Sequence, residues 1–297
     1  MSLYAIAVKH STPDLPEKLG VGMFFFRKMG WKVSFTEKTI NHWPHLFCKI
    51  ESNQGAEFDQ EELFGRILAE NLAIFIMEQQ ASHYLSEIVE QSYFYFPRYE
   101  RREILSLSVK HYESERSKEA GGQLLEEVRE LLAVYLARRQ YLNLHGFILF
   151  RLRTWLEFLR KNVDRAVDDF LWEKEYQEFI QLLKYFMTLQ EPKIKLAHVI
   201  LDEFGQARLL DEHYKPIEQC QEDVHWGVCD SVTDVENQLM SMLISVVPYR
   251  VVLHKQIYNF YPKTVETLKH IFESRVTFCR RCKLCLSESI YLTLKEK

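Results

Sequence analysis

Residues 143–190 read NLHGFILFRLRTWLEFLRKNVDRAVDDFLWEKEYQEFIQLLKYFMTLQ and hold the strongest pattern in the chain. The segment lacks proline, and its one glycine, Gly146, lies near its start. Large apolar side chains recur every three or four residues, which predicts a long helix with one wide apolar face. The positions of this face are Phe150, Trp155, Leu159, Val163, Ala166, Val167, Phe170, Phe179, Leu183 and Phe186. We expect the face to form the centre of the core, with a bend near Trp172–Lys174.

Two kinds of segment precede this block. Residues 1–55 contain three short runs with strand character, LYAIAV, WKVSF and HLFCKI, and a helical stretch that ends near Lys28. They predict a small N-terminal α+β unit. Across 56–192 the apolar residues follow helical spacing, and Pro97 separates two helices because proline cannot donate a backbone hydrogen bond. This central region is predicted to be a helical bundle.

The pattern changes again after Pro192, and residues 193–297 form the third predicted region. KLAHVIL and ARLLD lie on either side of Gly205 and predict a β-hairpin. The segments that follow are ENQLMSMLISVV (helix), YRVVLHK (strand), VETLKHIF (helix) and RVTFC (strand). The sequence therefore predicts an α+β fold that is mainly α-helical and ends in a β-β-α-β-α-β element.

Composition and charge restrict the class of protein. The 297 residues are 47% hydrophobic, enough for a folded protein, and 38 basic against 42 acidic residues give a net charge of −4. Such a balance disfavours nucleic acid as a partner, although Arg138, Arg139, Arg151 and Arg153 form a local basic group. The N-terminus lacks the pattern of a signal peptide, and the apolar run 23–26 is far shorter than the roughly 20 residues that span a bilayer. We expect a cytoplasmic protein without a transmembrane segment.

The short motifs that identify many enzymes are missing from the sequence. It contains no G-x-x-x-x-G-K-[ST], no strand-linked G-x-G-x-x-G, no H-E-x-x-H and no G-x-S-x-G. This pattern favours a non-enzymatic protein, without deciding the question, and identifies no catalytic residue.

A C-x-x-C-x-x-C run formed by Cys279, Cys282 and Cys285 is the strongest chemical signal. Thiolates bind Zn²⁺ or iron–sulfur clusters, and a spacing of two residues lets consecutive sulfurs converge on one ion. The adjacent basic residues favour the thiolate form, which would assist metal binding or thiol-redox chemistry. These neighbours are Arg280, Arg281 and Lys283. Three readings stay open: a metal site, a redox device, or three thiols with no joint role.

A tetrahedral site needs a fourth ligand. His254 on the preceding strand and His270 on the last helix are the two favoured residues, because both elements should pack near the C-terminal turn. Cys220, His225 and Cys229 are weaker candidates. We expect a structural zinc site, and an iron–sulfur cluster is less favoured because no fourth cysteine follows in the sequence.

Several segments carry a family resemblance. The block 143–190 is followed by KLAHVIL, SMLISVVPYRVVLH and FESRVTFCRRCKLC. Together these segments resemble the YtxC-like family, whose members are assigned to sporulation in endospore-forming Gram-positive bacteria. The resemblance is densest over 143–285. It implies a role in sporulation and carries no catalytic residue with it.

The leading hypothesis is therefore a cytoplasmic sporulation protein that acts through contacts with a protein partner. The helical centre offers amphipathic surfaces for such contacts, and no enzyme motif competes with this interpretation. The alternative is a metal-dependent or thiol-redox enzyme that uses the C-x-x-C-x-x-C run.

Overall fold

The computed structural model describes residues 2–9, 14–28, 30–51, 58–201, 207–217, 232–280, 282 and 285. Helices predominate among these residues, and the strands form two four-stranded sheets. The predicted fold class, α+β and mainly α-helical, is confirmed. The chain divides into two compact units, Met1–Trp172 (the N-terminal unit) and Glu173–Lys297 (the C-terminal unit). The three-region division at residues 55 and 192 stays a prediction.

The sheet of the N-terminal unit has the strand order β2-β3-β1-β4. Its strands are β1 (Ser2–Ala7), β2 (Lys32–Ile40), β3 (Trp43–Glu51) and β4 (Tyr141–Asn143). β2 and β3 pair as a hairpin in which Ile40 is opposite Trp43. Its two-residue turn, Asn41-His42, has positive φ at both positions, as the tight hairpin turns that match strand twist require. β4 pairs in parallel with β1 and was not predicted.

The other described elements of the N-terminal unit are helices. Their bounds are α1 (Asp14–Gly22), α2 (Phe24–Lys28), α3 (Phe58–Phe75), α4 (Ala81–Ser92), α5 (Arg98–Arg116), α6 (Glu119–Leu136) and α7 (Leu144–Arg151), and α8 (Arg153–Leu189) begins in this unit. A π-helical segment, Ile76–Gln80, lies between α3 and α4. Pro97 lies between α4 and α5, as predicted. None of the helices among the described residues is long and apolar enough to cross a lipid bilayer.

The core of the N-terminal unit contains the first half of α8. Trp155, Leu159, Val163, Ala166 and Phe170 recur every three or four residues and are buried in one apolar cluster with residues of the sheet and the other helices. The Trp155 indole donates to the Tyr112 hydroxyl over 3.4 Å, and that hydroxyl donates to the Met77 carbonyl over 2.6 Å. The predicted core role of this half of the block is confirmed.

Three positions of the predicted face are wrong. Phe150, Phe179 and Phe186 are 73%, 53% and 48% exposed. Phe150 belongs to α7, which ends at Arg151, so a break at Leu152 shifts its phase relative to α8. Farther along α8 the buried positions are Ile180 and Met187, one residue after the phenylalanines, because they pack in the separate core of the C-terminal unit.

The C-terminal unit contains a second sheet with the order β6-β5-β7-β8. Its elements are β5 (Ile194–Leu201), β6 (Ala207–Leu210), α9 (Val232–Val246), β7 (Pro248–Leu253), α10 (Lys255–Phe260), α11 (Pro262–Phe272), a 3₁₀ turn (Glu273–Arg275) and β8 (Val276–Phe278). The predicted β-β-α-β-α-β order is confirmed, and the predicted second helix, 265–272, lies within α11. The short helix α10 was not predicted. Gly205 of the predicted hairpin turn lies outside the described residues.

Strand direction in this sheet determines where its functional groups lie. β6 is antiparallel to β5, whereas β5, β7 and β8 are mutually parallel. The carboxyl ends of these three strands therefore meet at one edge of the sheet, the place where open α/β sheets bind ligands. Apolar residues such as Val199, Val251 and Leu253 are fully buried and hold the strands that carry this edge.

Candidate metal centre

The candidate site forms where two parallel strands end side by side. Leu253 of β7 is opposite Phe278 of β8, so the next residues, His254 and Cys279, leave the sheet together. The Cys279 amide donates to the Leu253 carbonyl over 2.9 Å and continues the ladder by one residue. Strand register thus brings a histidine and a cysteine together, although 25 positions separate them in the sequence.

The other two thiols, Cys282 and Cys285, follow within six residues of Cys279. The Cys285 amide donates to the Cys282 carbonyl over 3.0 Å, and both side chains return toward Cys279. This is the convergence that the spacing of two residues predicts. Arg281, Lys283 and Leu284, which lie between these positions, are outside the described residues.

Four potential ligand atoms, from His254, Cys279, Cys282 and Cys285, all lie within 4.8 Å of one another. The Sγ atom of Cys285 is 3.7 Å from that of Cys282 and 3.8 Å from that of Cys279. His254 Nδ1 is 3.2 Å from the Cys285 sulfur and 3.3 Å from the Cys282 sulfur. Tetrahedral zinc with ordinary bond lengths sets its ligands about 3.8 Å apart for two sulfurs and about 3.6 Å apart for nitrogen and sulfur. The group could therefore hold one metal ion.

His254 is suited to act as a neutral ligand. Its side chain is 1% exposed, and burial, together with the neighbouring His198, lowers its pKa to about 4. The ring is uncharged at neutral pH, so Nδ1 can present a lone pair toward the sulfurs. The backbone fixes the residue as well, because the His254 amide donates to the Val199 carbonyl of β5 over 3.1 Å.

The thiol of Cys279 differs from the expectation drawn from its basic neighbours. Burial raises its pKa to about 11, and hydrogen bonding to Cys282 and Cys285 adds to this effect. Arg280 is adjacent in sequence, but its side chain is exposed to solvent. Its charge therefore does not offset the effect of burial on the pKa of Cys279. Without a metal the protonated thiol is favoured, and an ion that binds here must displace a proton.

The structure separates the two favoured candidates for the fourth ligand. His254 lies in the group, whereas His270 is exposed on α11 and is not part of it. The weaker candidates Cys220, His225 and Cys229 lie outside the described residues.

Sequence reasoning missed His198. This residue lies on β5 with a 6% exposed side chain, and its Nδ1 is 3.2 Å from His254 Nε2. Its ring stacks on that of Tyr214 at a centroid distance of 4.7 Å. A signal was present, because His198 is the one strongly polar residue in the centre of the apolar run LAHVIL. A buried polar group in a strand needs a partner.

Comparisons with known proteins agree with the resemblance drawn from the sequence. The chain is 25% identical over 218 residues to the uncharacterised protein YtxC of Bacillus subtilis (strain 168), covering 71% of this chain and 75% of that protein. No solved structure matches the chain. The model of the YtxC-like family matches residues 66–277, which include β7, α11 and His254. The chain belongs to the YtxC-like family.

Proposed function

We propose that this protein is a non-enzymatic component of sporulation that acts through protein contacts and whose C-terminal unit is held by one structural zinc ion. The observation that carries the zinc proposal is the set of four ligands from His254 and the three cysteines. A closed set of three sulfurs and one nitrogen is typical of structural zinc, whereas catalytic zinc keeps a position open for water or substrate. A closed site therefore favours a role in folding over a role in turnover.

The spacing of the sulfurs supports a single ion over an iron–sulfur cluster. The thiolates of a cluster are shared among two or more iron atoms, so three of them do not all lie as close together as the ligands of one ion. Here two sulfur pairs are 3.7 and 3.8 Å apart, close to the edge of a ZnS₄ tetrahedron, and all four candidate ligand atoms lie within 4.8 Å of one another. No disulfide bond joins the described cysteines, which is consistent with a protein that works in a reducing cytoplasm.

Exposed aromatic side chains support a role in protein contacts. In the connection between α4 and α5, Phe94 and Tyr95 are 71% and 63% exposed, and Tyr99 at the start of α5 is 69% exposed. The rings of Phe94 and Tyr95 are in contact, with centroids 5.9 Å apart, and exposed apolar groups of this kind mark interaction sites. The link to sporulation is the role that the resemblance to the YtxC-like family implies.

Metal content tests the zinc proposal. Full-length protein purified without oxygen should carry about one zinc ion per chain, as a single Cys₃His site requires. Replacement of His254 with Ala or Cys282 with Ser should remove most of the zinc. His270→Ala and Cys48→Ala are matched controls that should retain it, since Cys48 is buried in β3 of the other unit. Wild-type protein without zinc or iron would refute the proposal.

A chromosomal substitution tests the proposed contacts. The double replacement Phe94→Ser and Tyr95→Ser should lower the yield of heat-resistant spores while the protein accumulates normally. The control is Phe150→Ser, an equally exposed aromatic side chain on α7 of the same unit. A normal spore yield in the double variant, in a strain where deletion of the whole protein lowers it, would exclude this surface.

A thiol-redox or metal-dependent enzyme is the second candidate. The observation in its favour is the close approach of three thiols, which would allow a disulfide to form between two of them. The raised pKa of Cys279 argues against it, because redox-active thiols have lowered pKa values. Catalysed reduction of a disulfide substrate that is lost on Cys282→Ser would favour the enzyme over the structural site.

A further inference from the structure

His198 of β5 and His254, which directly follows β7, form a buried pair beside the two inner strands of the second sheet. The Nδ1 atom of His198 is 3.2 Å from Nε2 of His254, and both side chains are almost fully buried. On the other side of the same His254 ring, Nδ1 faces the sulfurs of Cys282 and Cys285. Nε2 of His254 therefore faces His198, whereas Nδ1 of the same ring faces the cysteine sulfurs.

Metal binding would decide which nitrogens carry protons. A neutral histidine that binds a metal through Nδ1 must carry its proton on Nε2. That N–H points at His198 Nδ1, which must then accept the hydrogen bond and carry its own proton on Nε2.

The fold holds His198 in position for this hydrogen bond. In the parallel pairing of β5 with β7, His198 is opposite Val252, two residues before His254. On its other side β6 pairs with it through Leu210, and the ring of Tyr214 stacks on its own ring at an interplanar angle of 25°. The acceptor is therefore built into the centre of the sheet and is not a mobile surface group.

We propose that His198 is a positioning residue of the metal site, which orients the His254 ring and selects Nδ1 as its metal-binding atom. The inference rests on the proposed zinc site and deepens it. Histidine ligands generally donate their second N–H to a fixed acceptor, and loss of that acceptor weakens metal binding roughly 10- to 100-fold. A histidine in this place keeps the site free of an additional negative charge, unlike the carboxylate that often takes this role.

Cobalt affinity of the full-length protein tests the proposal. Co²⁺ gives visible absorption bands when thiolates bind it, and competition with a chromophoric chelator measures its affinity. His198→Leu should lower the affinity roughly 10- to 100-fold. His198→Asn should restore most of it, because its amide oxygen can accept the same hydrogen bond. Val199→Ala, at the next position of β5, is the control for general loosening, since it removes buried volume but not the acceptor.

The outcomes separate this inference from the proposed function. Wild-type protein that binds no Co²⁺ with thiolate bands would refute the metal site itself. If the wild type binds Co²⁺ and His198→Leu binds it with the same affinity, only the positioning role is refuted. The positioning role is also refuted if Val199→Ala loses as much Co²⁺ affinity as His198→Leu. Should His198→Leu fail to fold, ¹⁵N NMR of the zinc-loaded wild type decides: a protonated Nε2 on His254 supports the proposal, and a zinc-bound Nε2 overturns it.

Discussion

The two units of this chain are stabilised in different ways. In the N-terminal unit a large apolar core takes in both the sheet and the helices, and the buried hydroxyl of Tyr112 is hydrogen-bonded inside it. Among its described residues the C-terminal unit has a smaller buried apolar cluster, and its strand β8 is three residues long and leads to the cysteines of the Cys/His group. A short terminal strand buries little area, so its order depends on additional bonds. From this comparison we expect that apolar burial stabilises the first unit, whereas the order of β8 in the second unit depends on the proposed metal site.

The largest effect is expected from the centre of the N-terminal core. Trp155→Ala should lower the free energy of unfolding by about 3–5 kcal/mol, because a fully buried indole is lost and a cavity remains. The zinc content should stay unchanged, since the residue belongs to the other unit. Phe150→Ala, an exposed position, should change stability by no more than about 0.5 kcal/mol. Loss of zinc in Trp155→Ala would contradict the claim that the metal site does not depend on the core of the N-terminal unit.

A core change in the C-terminal unit should affect both stability and metal binding. Leu253→Ala removes a fully buried side chain next to His254 and should cost about 2–5 kcal/mol. Zinc affinity should fall with it, because β7 positions the ligand. Leu189→Ala, which is 64% exposed in α8, serves as the control for calorimetry and for zinc titration. Unchanged zinc affinity in a destabilised Leu253→Ala protein would separate the site from the core beneath it.

Removal of the Tyr112 hydroxyl should have an effect of intermediate size on the free energy of unfolding. Tyr112→Phe leaves the Met77 carbonyl in the π-helical segment without this donor, and a buried unsatisfied group costs about 1–3 kcal/mol. Chemical denaturation should show the loss in the N-terminal unit. Tyr95→Phe, with a 63% exposed ring, is the matched control. Equal stability of the two variants would show that the hydrogen bond contributes nothing measurable.

The smallest effect is expected at one surface ion pair of the N-terminal unit, Lys9 with Glu87. Partial burial opposes ionisation of Glu87, but the hydrogen bond and charge of Lys9 outweigh it and place the pKa below its usual range. A lowered pKa stabilises the fold above the unfolded-state value of about 4.3, and this contribution disappears as the pH falls through the folded-state pKa. Lys9→Met should therefore cost less than about 1 kcal/mol at pH 7 and nothing at pH 2. If the stability cost of Lys9→Met increased as the pH fell, the lowered pKa of Glu87 would be contradicted.

The sequence predicted local features better than long-range ones. The spacing of Cys279, Cys282 and Cys285 is a local property, and the three sulfurs do converge. The choice between His254 and His270 could not be made, because it depends on the parallel register of β7 with β8, which no local pattern encodes. His198 was missed for the same reason, since its partner lies 56 positions away.

The long helix α8 shows a second limit. Its helical period was clear from the sequence, and the buried positions from Trp155 to Phe170 follow it. Periodicity identifies an apolar face but cannot show where one core ends and another begins. The buried phase therefore moves to Ile180 and Met187 in the C-terminal unit, and Phe179 is left exposed.

Hydrogen exchange with and without a zinc chelator tests the central claim most directly. The full-length protein is compared in both conditions, and deuterium uptake is followed by mass spectrometry in peptides from each unit. Chelation should raise uptake in β7 and β8 and around His254, because removing a structural ion loosens the segment that it holds. Peptides from α5 and α6 should be unchanged. Identical uptake in β8 with and without chelator, or increased uptake in both units alike, would contradict the account.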